Sequence, residues 1–567
     1  MAAECGDRPV ADRGRQGAAK GVWLLLVLYA LVPLTIAALM GYYLVVSRRA
    51  VGEFGFPLDD SWIHVRFAQN LARGYGFSFN PGQPTSTTTG PLWTLLLALG
   101  YRLTGEYLLT AAGLNWLLCC LCALVLSGLA RTFVPRLGFG AAAALVFAVT
   151  MPLPWLALSG MEPPLFIVLT LVGIMLHVRF RREKGAKSFA PTAVFAVAVY
   201  ARPECLLLFP LAMLDRLLMA RHEEWGRGAV ASWLRQVAVH LPVYVAMVAP
   251  LALYNCSVIG RPLPSSYYIK AMNYGITWAV AMANEDLLVQ SLLVAPAKEI
   301  GALLWMWTTN NVALIVPFLL GFGWMLRGMG RPTVVRHRSY LIPLVLIVQP
   351  VAWAVSTNFH RAPWFQSQRY VANLGPLELL LGLVGGWWLA GRLPGRMRPL
   401  FIGVGLALAL AAGLARQPAQ ARLYAQNVKN ITELQVTTAR WLREHVSQDA
   451  LLAVNDVGAV AVITGCRVFD MMGLVSPETL SCLTLANARE GAWRECLREK
   501  RLAAKPDYLV AVTRPERVPA LLQDSTYLRP VYIVEIDDNI TAGGPMAVVV
   551  PTIWCRYPAD GLGGGDR

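Results

Sequence analysis

The sequence predicts an α-helical polytopic membrane bundle of about eleven transmembrane helices, followed by a small C-terminal α/β domain on the extracytoplasmic side. Three observations predict it. Of 567 residues, 56% are hydrophobic and only 15% are charged, a balance that soluble domains of this size rarely approach. Apolar runs near the roughly 20 residues needed to cross about 30 Å of hydrocarbon recur about ten times. The net charge of +16 is confined to one part of the chain: residues 1–415 hold 33 Lys and Arg against 17 Asp and Glu, whereas residues 416–567 hold 17 of each. A basic excess restricted to the apolar part is the positive-inside bias, so it requires no nucleic-acid partner.

Residues 1–20 read as a cytoplasmic tail carrying Arg8, Arg13, Arg15 and Lys20. Val22 to Val46 follows as an uncleaved first span, too long for a signal-peptide core and lacking a small-residue cleavage site. The membrane domain then runs over 21–415, with a first outer loop at 47–104 and further spans near 108–130, 138–157, 162–178, 189–201, 205–220, 236–258, 303–326, 340–357, 370–391 and 399–415. In this arrangement 22 basic residues of the membrane part fall inside and 11 outside. The inner ones include Arg131, Arg136, Arg179, Arg181, Arg182, Lys184, Lys187, Arg327, Arg331, Arg336, Arg338, Arg392, Arg396 and Arg398. The count holds only if Pro91 to Leu103, too short to span, lies in the outer interface. In the first loop, Ile63, Phe67 and Leu71 recur every four residues after Asp59 and Asp60, which predicts a helix capped by an acid and laid on the membrane by its apolar face.

From about residue 416 the pattern changes. Ala421 to His445 reads as an amphipathic helix; Ala450 to Asn455, Arg467 to Asp470, Tyr508 to Val512, Val531 to Glu535 and Met546 to Val550 read as strands; 484–502 reads as helix. Residues 416–557 are therefore an extracytoplasmic α/β domain, and the glycine-rich 558–567 a loose tail. The ten cysteines show no metal-ligand spacing, and a Cys482–Cys496 disulfide is compatible with an outer location.

Several short motifs recur in one order on one side. Asp59-Asp60 follows the first span; then come Asn70-Leu-Ala-Arg73-Gly-Tyr-Gly76, Asn80-Pro-Gly82 and Thr89-Gly-Pro-Leu-Trp93. Ser159-Gly-Met-Glu162, Ala201-Arg202-Pro-Glu204, Gly260-Arg-Pro-Leu-Pro-Ser-Ser-Tyr267-Tyr268-Ile-Lys270 and Gln368-Arg369-Tyr370 sit at later outer ends, and Ala453-Val-Asn455-Asp456-Val-Gly458 lies in the terminal domain. Together they resemble the GT-C superfamily of polytopic glycosyltransferases that use polyprenyl-phosphate sugars, in the branch of mycobacterial arabinofuranosyltransferases, and more distantly protein O-mannosyltransferases and lipid A aminoarabinose transferases. One departure is Ser86-Thr-Thr-Thr89, where relatives often carry a glycine and an aromatic residue; it bears on donor or acceptor choice.

The resemblance implies two interfacial helices and an acidic pair in the first loop. It also implies an inverting transfer from a polyprenyl-phosphate-linked sugar to a cell-envelope glycan, lipid or protein, in the inner membrane of a bacterium. Such chemistry needs a carboxylate to take the acceptor proton, assigned to Asp59 with Asp60 assisting, the two being exchangeable. It also needs cations for the leaving phosphate, for which Lys270, Arg369 and Arg202 stand at span ends, Arg202 with Glu162 or Glu204 as pairing partner. His64, Arg66, Glu162, Tyr267 and Tyr268 are candidate substrate contacts. No cofactor is required; the acid pair would also admit a divalent cation, Mg or Mn. Two rival readings are a transporter or flippase of a lipid-linked sugar, which predicts charged or broken helices near the midplane, and a non-catalytic glycan-binding assembly protein, in which the carboxylates are dispensable. Against the first, the ionisable groups are expected at the span ends.

Overall fold

The computed structural model describes residues 10–150, 152–183, 188–223, 227–272, 285–327, 339–357, 365–483, 492–519, 524–541 and 543–556. The expected tail at 558–567 and the basic loop residues Lys184, Lys187, Arg331, Arg336 and Arg338 lie outside them.

The apolar part is helical throughout. In chain order its helices are α1 (Val10–Val51), α2 (Asp59–Ala72), α3 (Pro91–Thr104), α4 (Tyr107–Phe133), α5 (Leu137–Ala148), α6 (Leu153–Leu158), α7 (Pro163–Glu183), α8 (Ala190–Val199), α9 (Leu208–Glu223) and α10 (Arg227–Ile259). They continue with α11 (Ser265–Met272), α12 (Glu285–Asn310), α13 (Ile315–Arg327), α14 (Leu341–Thr357), α15 (Leu374–Ala390) and α16 (Arg398–His445). Among the described residues, six helices are long and apolar enough to cross a membrane, and five shorter apolar helices accompany them.

Two expectations need correction here. The span placed at 303–326 is broken: α12 ends at Asn310, and the extended backbone of Asn311, whose side chain donates to the Ala409 carbonyl at 3.1 Å, separates it from α13. Ionisable groups are also not confined to span ends, since Glu299 and Glu378 and the His177–Asp215 pair (2.6 Å) are buried within helices. In addition, α16 runs unbroken through residue 416, so bundle and terminal domain are joined by one continuous helix.

The terminal domain contains β1 (Leu451–Val454), β2 (Arg467–Asp470), β3 (Tyr508–Thr513), β4 (Tyr532–Glu535) and β5 (Met546–Pro551) in the order β2-β1-β3-β5-β4. The β2-β1-β3 half is parallel and the β3-β5-β4 half antiparallel. All five strands coincide with the runs that predicted them; β1, β3 and β5, largely buried on both faces, read as continuous hydrophobic segments, whereas the edge strand β4 alternates between half-buried and exposed positions. Three helices accompany the sheet: α17 (Gly458–Thr464), α18 (Pro477–Leu483) and α19 (Ala492–Ala504). A Cys482–Cys496 disulfide ties α18 to α19.

The helix α2 does not use its apolar face as expected. Ile63 and Phe67, with Phe79, are buried in one cluster with Leu442, Val454, Val460, Val468 and Val510 of the terminal domain. Complete burial removes more apolar surface from water than half-immersion at an interface, and the parallel half of the sheet supplies the covering layer. It is α3 that presents an open apolar stripe, with Leu95, Leu99 and Leu103 at 50%, 59% and 82% exposure.

Candidate active site

A cleft of about 230 Å³ opens where the first loop, the α7 and α15 entries, α11 and the terminal domain meet. The acidic pair parts at its rim. Successive residues of a helix point about 100° apart, so Asp60 faces the cleft while Asp59 is turned beneath the terminal domain. Asp59 accepts hydrogen bonds from the backbone N–H groups of Gly458 (2.6 Å) and Ala459 (2.7 Å), capping α17 across the interdomain seam. Its carboxyl also shares a hydrogen bond with Asp456, which accepts a further one from Gln435 at 2.6 Å. Burial, then the Asp456 charge and the bond to it, push the Asp59 pKa well above the carboxylate range, with the two backbone N–H groups opposing. Asp456 is raised too, first by burial. Both shifts favour the protonated form, and the Asp59 contacts tie α2 to α17. The pair lies outside the cleft.

Asp60 is the opposite case. Its side chain is 42% exposed and meets the Arg369 guanidinium at 2.5 Å. Burial of its surroundings would raise its pKa, but Arg369, by charge and hydrogen bond, and then Lys270 and His64 outweigh that and hold the carboxyl below its usual range. Arg369 also donates to the Tyr370 hydroxyl at 2.8 Å, and its Nε is buried without a hydrogen-bond partner. Its position is set by an unusual backbone: Gln366, Ser367 and Gln368 all take left-handed φ angles of 43°, 54° and 66°. Such strain persists where neighbours enforce it. Here Gln368 donates to Asn310 (2.8 Å), which in turn donates to Glu378 (3.0 Å).

Lys270 places its ammonium 4.5 Å from the Tyr370 ring centroid and 6.0 Å from that of Trp353. Among the described residues it makes no ion pair. Arg202, by contrast, is fully matched: Glu204 accepts from it twice (3.2 and 2.7 Å) and Glu162 once (2.7 Å). Glu162 in turn meets His64 Nε2 at 3.1 Å. Burial raises the Glu162 pKa, yet Arg202 and His64 carry it down to about 2. Arg202, Glu162 and His64 thus form a neutralised wall beneath the cleft, with Arg202 paired to both of the acids the sequence offered it.

The remaining sequence candidates lie elsewhere. Arg66 is buried, donating to the carbonyls of Phe79 (3.1 Å), Gly465 (3.2 Å) and Cys466 (3.3 Å), and so ties the first loop to the terminal domain. Burial, then Arg73, lower its pKa to about 10. Tyr267 and Tyr268 pack against Trp353 and Arg261; the face of α11 that lines the cleft is Ser266, Ile269 and Lys270. Counting back one helical turn from Lys270 to i−4 would have found Ser266. Reasoning from sequence also passed over Tyr370, next to Arg369 in a quoted motif; Thr87 to Thr89, which the sequence tied to donor or acceptor choice, line the cleft as well. Burial raises the Tyr370 pKa, but Arg369 and Lys270 bring it below its ordinary value. Leu474 of the terminal domain closes the cleft, its carbonyl accepting from Thr87 and from Ser265 (2.8 Å).

Asp60 is one open carboxylate facing two cations, and no group of three metal-ligating side chains occurs among the described residues.

Residues 426–549 match a family described as a domain of unknown function (DUF8728). Over 229 residues, 37% of this chain, the sequence is 30% identical to a terminal β-(1→2)-arabinofuranosyltransferase of Mycobacterium tuberculosis, and the match covers 34% of that protein. The chain thus spans about a third of the length of the curated relative it matches. ArnT from Cupriavidus metallidurans, solved bound to undecaprenyl phosphate, superposes with a TM-score of 0.54 at 12% identity, covering 91% of this chain and 97% of that one. The Archaeoglobus fulgidus oligosaccharyltransferase, solved with Zn and sulfate, gives 0.51 at 12% identity over 87% and 71%. At such identities the likeness is one of architecture: this chain has the GT-C fold, as the order of its motifs implied.

Proposed function

We propose that this protein is an inverting glycosyltransferase of a bacterial inner membrane. It would move a monosaccharide from a polyprenyl-phosphate carrier to an extracytoplasmic glycan, lipid or protein acceptor. The observation that carries the reading is the cleft itself: one open carboxylate, Asp60, shares a small cavity with Arg369 and with Lys270, a cation that has no acid partner among the described residues. The lipid phosphate on ArnT and the activity in the arabinofuranosyltransferase's name support it. The topology belongs to the same proposal, with about eleven spans, α3 in the outer interface and the terminal domain outside.

The donor phosphate binds Lys270 and competes for Arg369, which releases Asp60 from its ion pair. Asp60 then takes the proton of the acceptor hydroxyl as that oxygen attacks the anomeric carbon. The bond to the phosphate oxygen breaks on the opposite face, and its electron pair leaves with the lipid phosphate, held by Lys270 and Arg369. Tyr370, shared by both cations, fixes their spacing. The role of base thus moves from Asp59 to Asp60, and no step is routed through a metal. The broken α12–α13 junction and the buried Glu378 keep the transporter reading in play, so a direct comparison is needed.

Purified protein in lipid, given a polyprenyl-phosphate sugar and an acceptor, tests this. Asp60→Asn is expected to lose 10²- to 10⁴-fold in transfer, about the contribution of a general base, while retaining donor binding. Lys270→Ala should weaken donor binding, and a chelator should change neither. Full transfer by Asp60→Asn would remove the carboxylate from the mechanism. Donor translocation without acceptor would favour the transporter.

A further inference from the structure

A second cavity lies far from the cleft. It measures about 550 Å³ and is built where α4, the α4–α5 turn, α13 and the end of α15 converge. Since α15 starts four residues after Tyr370 and runs for 17 residues, about 25 Å of helix separates the two sites. The geometry points to a second lipid site here: a pocket for the phosphate headgroup of an anionic phospholipid from the leaflet opposite the cleft.

Its walls are aromatic and its charges are cationic. Phe133, Trp324, Trp387 and Trp388 line it together with Arg136 and Arg392, and among the described residues no carboxylate does. The Arg136 guanidinium lies 5.3 Å from the Trp387 ring centroid, and that of Arg392 lies over Trp388. Trp387 is braced from behind by an edge contact with Phe139 at 5.7 Å. A guanidinium laid against an indole keeps N–H groups at its edge for two oxygens of a phosphate. Neither arginine makes an ion pair among the described residues, in contrast to Arg202 and Arg369 in the cleft.

Tryptophans at a helix end are by themselves the ordinary interfacial belt. A belt, however, is a convex surface facing lipid tails, whereas this is a concavity with two cations from separate elements. Basic pockets between spans on the cytoplasmic side are the form that anionic headgroup sites take. Leu137, which follows Arg136, is 50% exposed, so an acyl chain leaving the pocket meets an apolar surface.

Native mass spectrometry of the delipidated full chain in detergent tests the assignment, with phosphatidylglycerol, phosphatidylcholine or inorganic phosphate added separately. The expected result is a one-to-one phosphatidylglycerol adduct exceeding the phosphatidylcholine adduct by roughly tenfold or more, the scale of one or two charge-assisted contacts. Arg136→Gln combined with Arg392→Gln should abolish that preference, while Arg396→Gln, an exposed neighbour outside the cavity, should keep it. Equal retention of both lipids, an undiminished preference in the double variant, or displacement of the adduct by millimolar inorganic phosphate would each overturn it. Unfolding temperature of the double variant, measured in parallel, separates lost binding from lost fold. Because the pocket is remote from Asp60, failure here leaves the transfer reading intact.

Discussion

Asp59 and Asp60 differ by one position and by nearly everything else. The Asp59 carboxyl is pushed above its ordinary range, because burial and Asp456 disfavour a second charge; that of Asp60 is held below it, because Arg369 and Lys270 favour one. The first effect has a definite sign. A carboxyl whose folded pKa is raised binds more protons in the folded state, so its stabilisation is full below the ordinary value of 3.8 and declines as pH rises through the raised one. Unfolding temperature should therefore fall as pH rises above the ordinary carboxylate range, and Asp456→Asn, neutral but still hydrogen-bonding, should flatten that slope. An unchanged slope would mean that the pair does not carry the effect. The acidic pair itself was legible in the sequence. Which acid faces the cleft was not, since that depends on the helix phase set by a domain some 400 residues away.

Among elements, α13 and α15 pack most closely. A Cβ added at Gly385 would collide with the carbonyl oxygen of Pro317, and one at Gly321 with that of Leu381, so the two backbones touch where a side chain would stand. Gly385→Leu is expected to lower the unfolding temperature by an overpacking cost of about 1–3 kcal/mol or more and to blunt transfer, because α15 carries Glu378, the end of the chain through Asn310 and Gln368 to Arg369. Wild-type stability in that variant would contradict the packing. Hydropathy found most of the helices because twenty apolar residues have few other uses. It missed the break at Asn310-Asn311, where two polar residues inside an apolar run bond to neighbouring helices that no local pattern reveals.

At the scale of the whole molecule, the terminal domain completes the cleft. Leu474 closes it, and Asp470 holds the turn that carries Leu474, accepting from the N–H groups of Met472 (2.7 Å) and Val475 (2.8 Å). Docking depends on Gly458, where a Cβ would strike the Asp59 carbonyl and lie 2.7 Å from its carboxylate. Gly458→Val should leave the bundle inserted but expose the seam, measured as faster amide exchange in Asp59 to Ala72, with transfer lost. Unaltered exchange would show that the seam tolerates the side chain. The strands and their order in sequence were readable; that Ile63 and Phe67 belong to the same core as Val454 and Val510 was not. That shared core has a consequence for biogenesis. The ribosome makes the first loop early and its cover last, and about 370 residues at roughly 5–20 per second leave Ile63, Phe67 and Phe79 bare for something like 20–75 s. During that interval the nascent loop depends on a chaperone or on the lipid surface for shelter, and a chain halted before residue 440 would keep that need permanently.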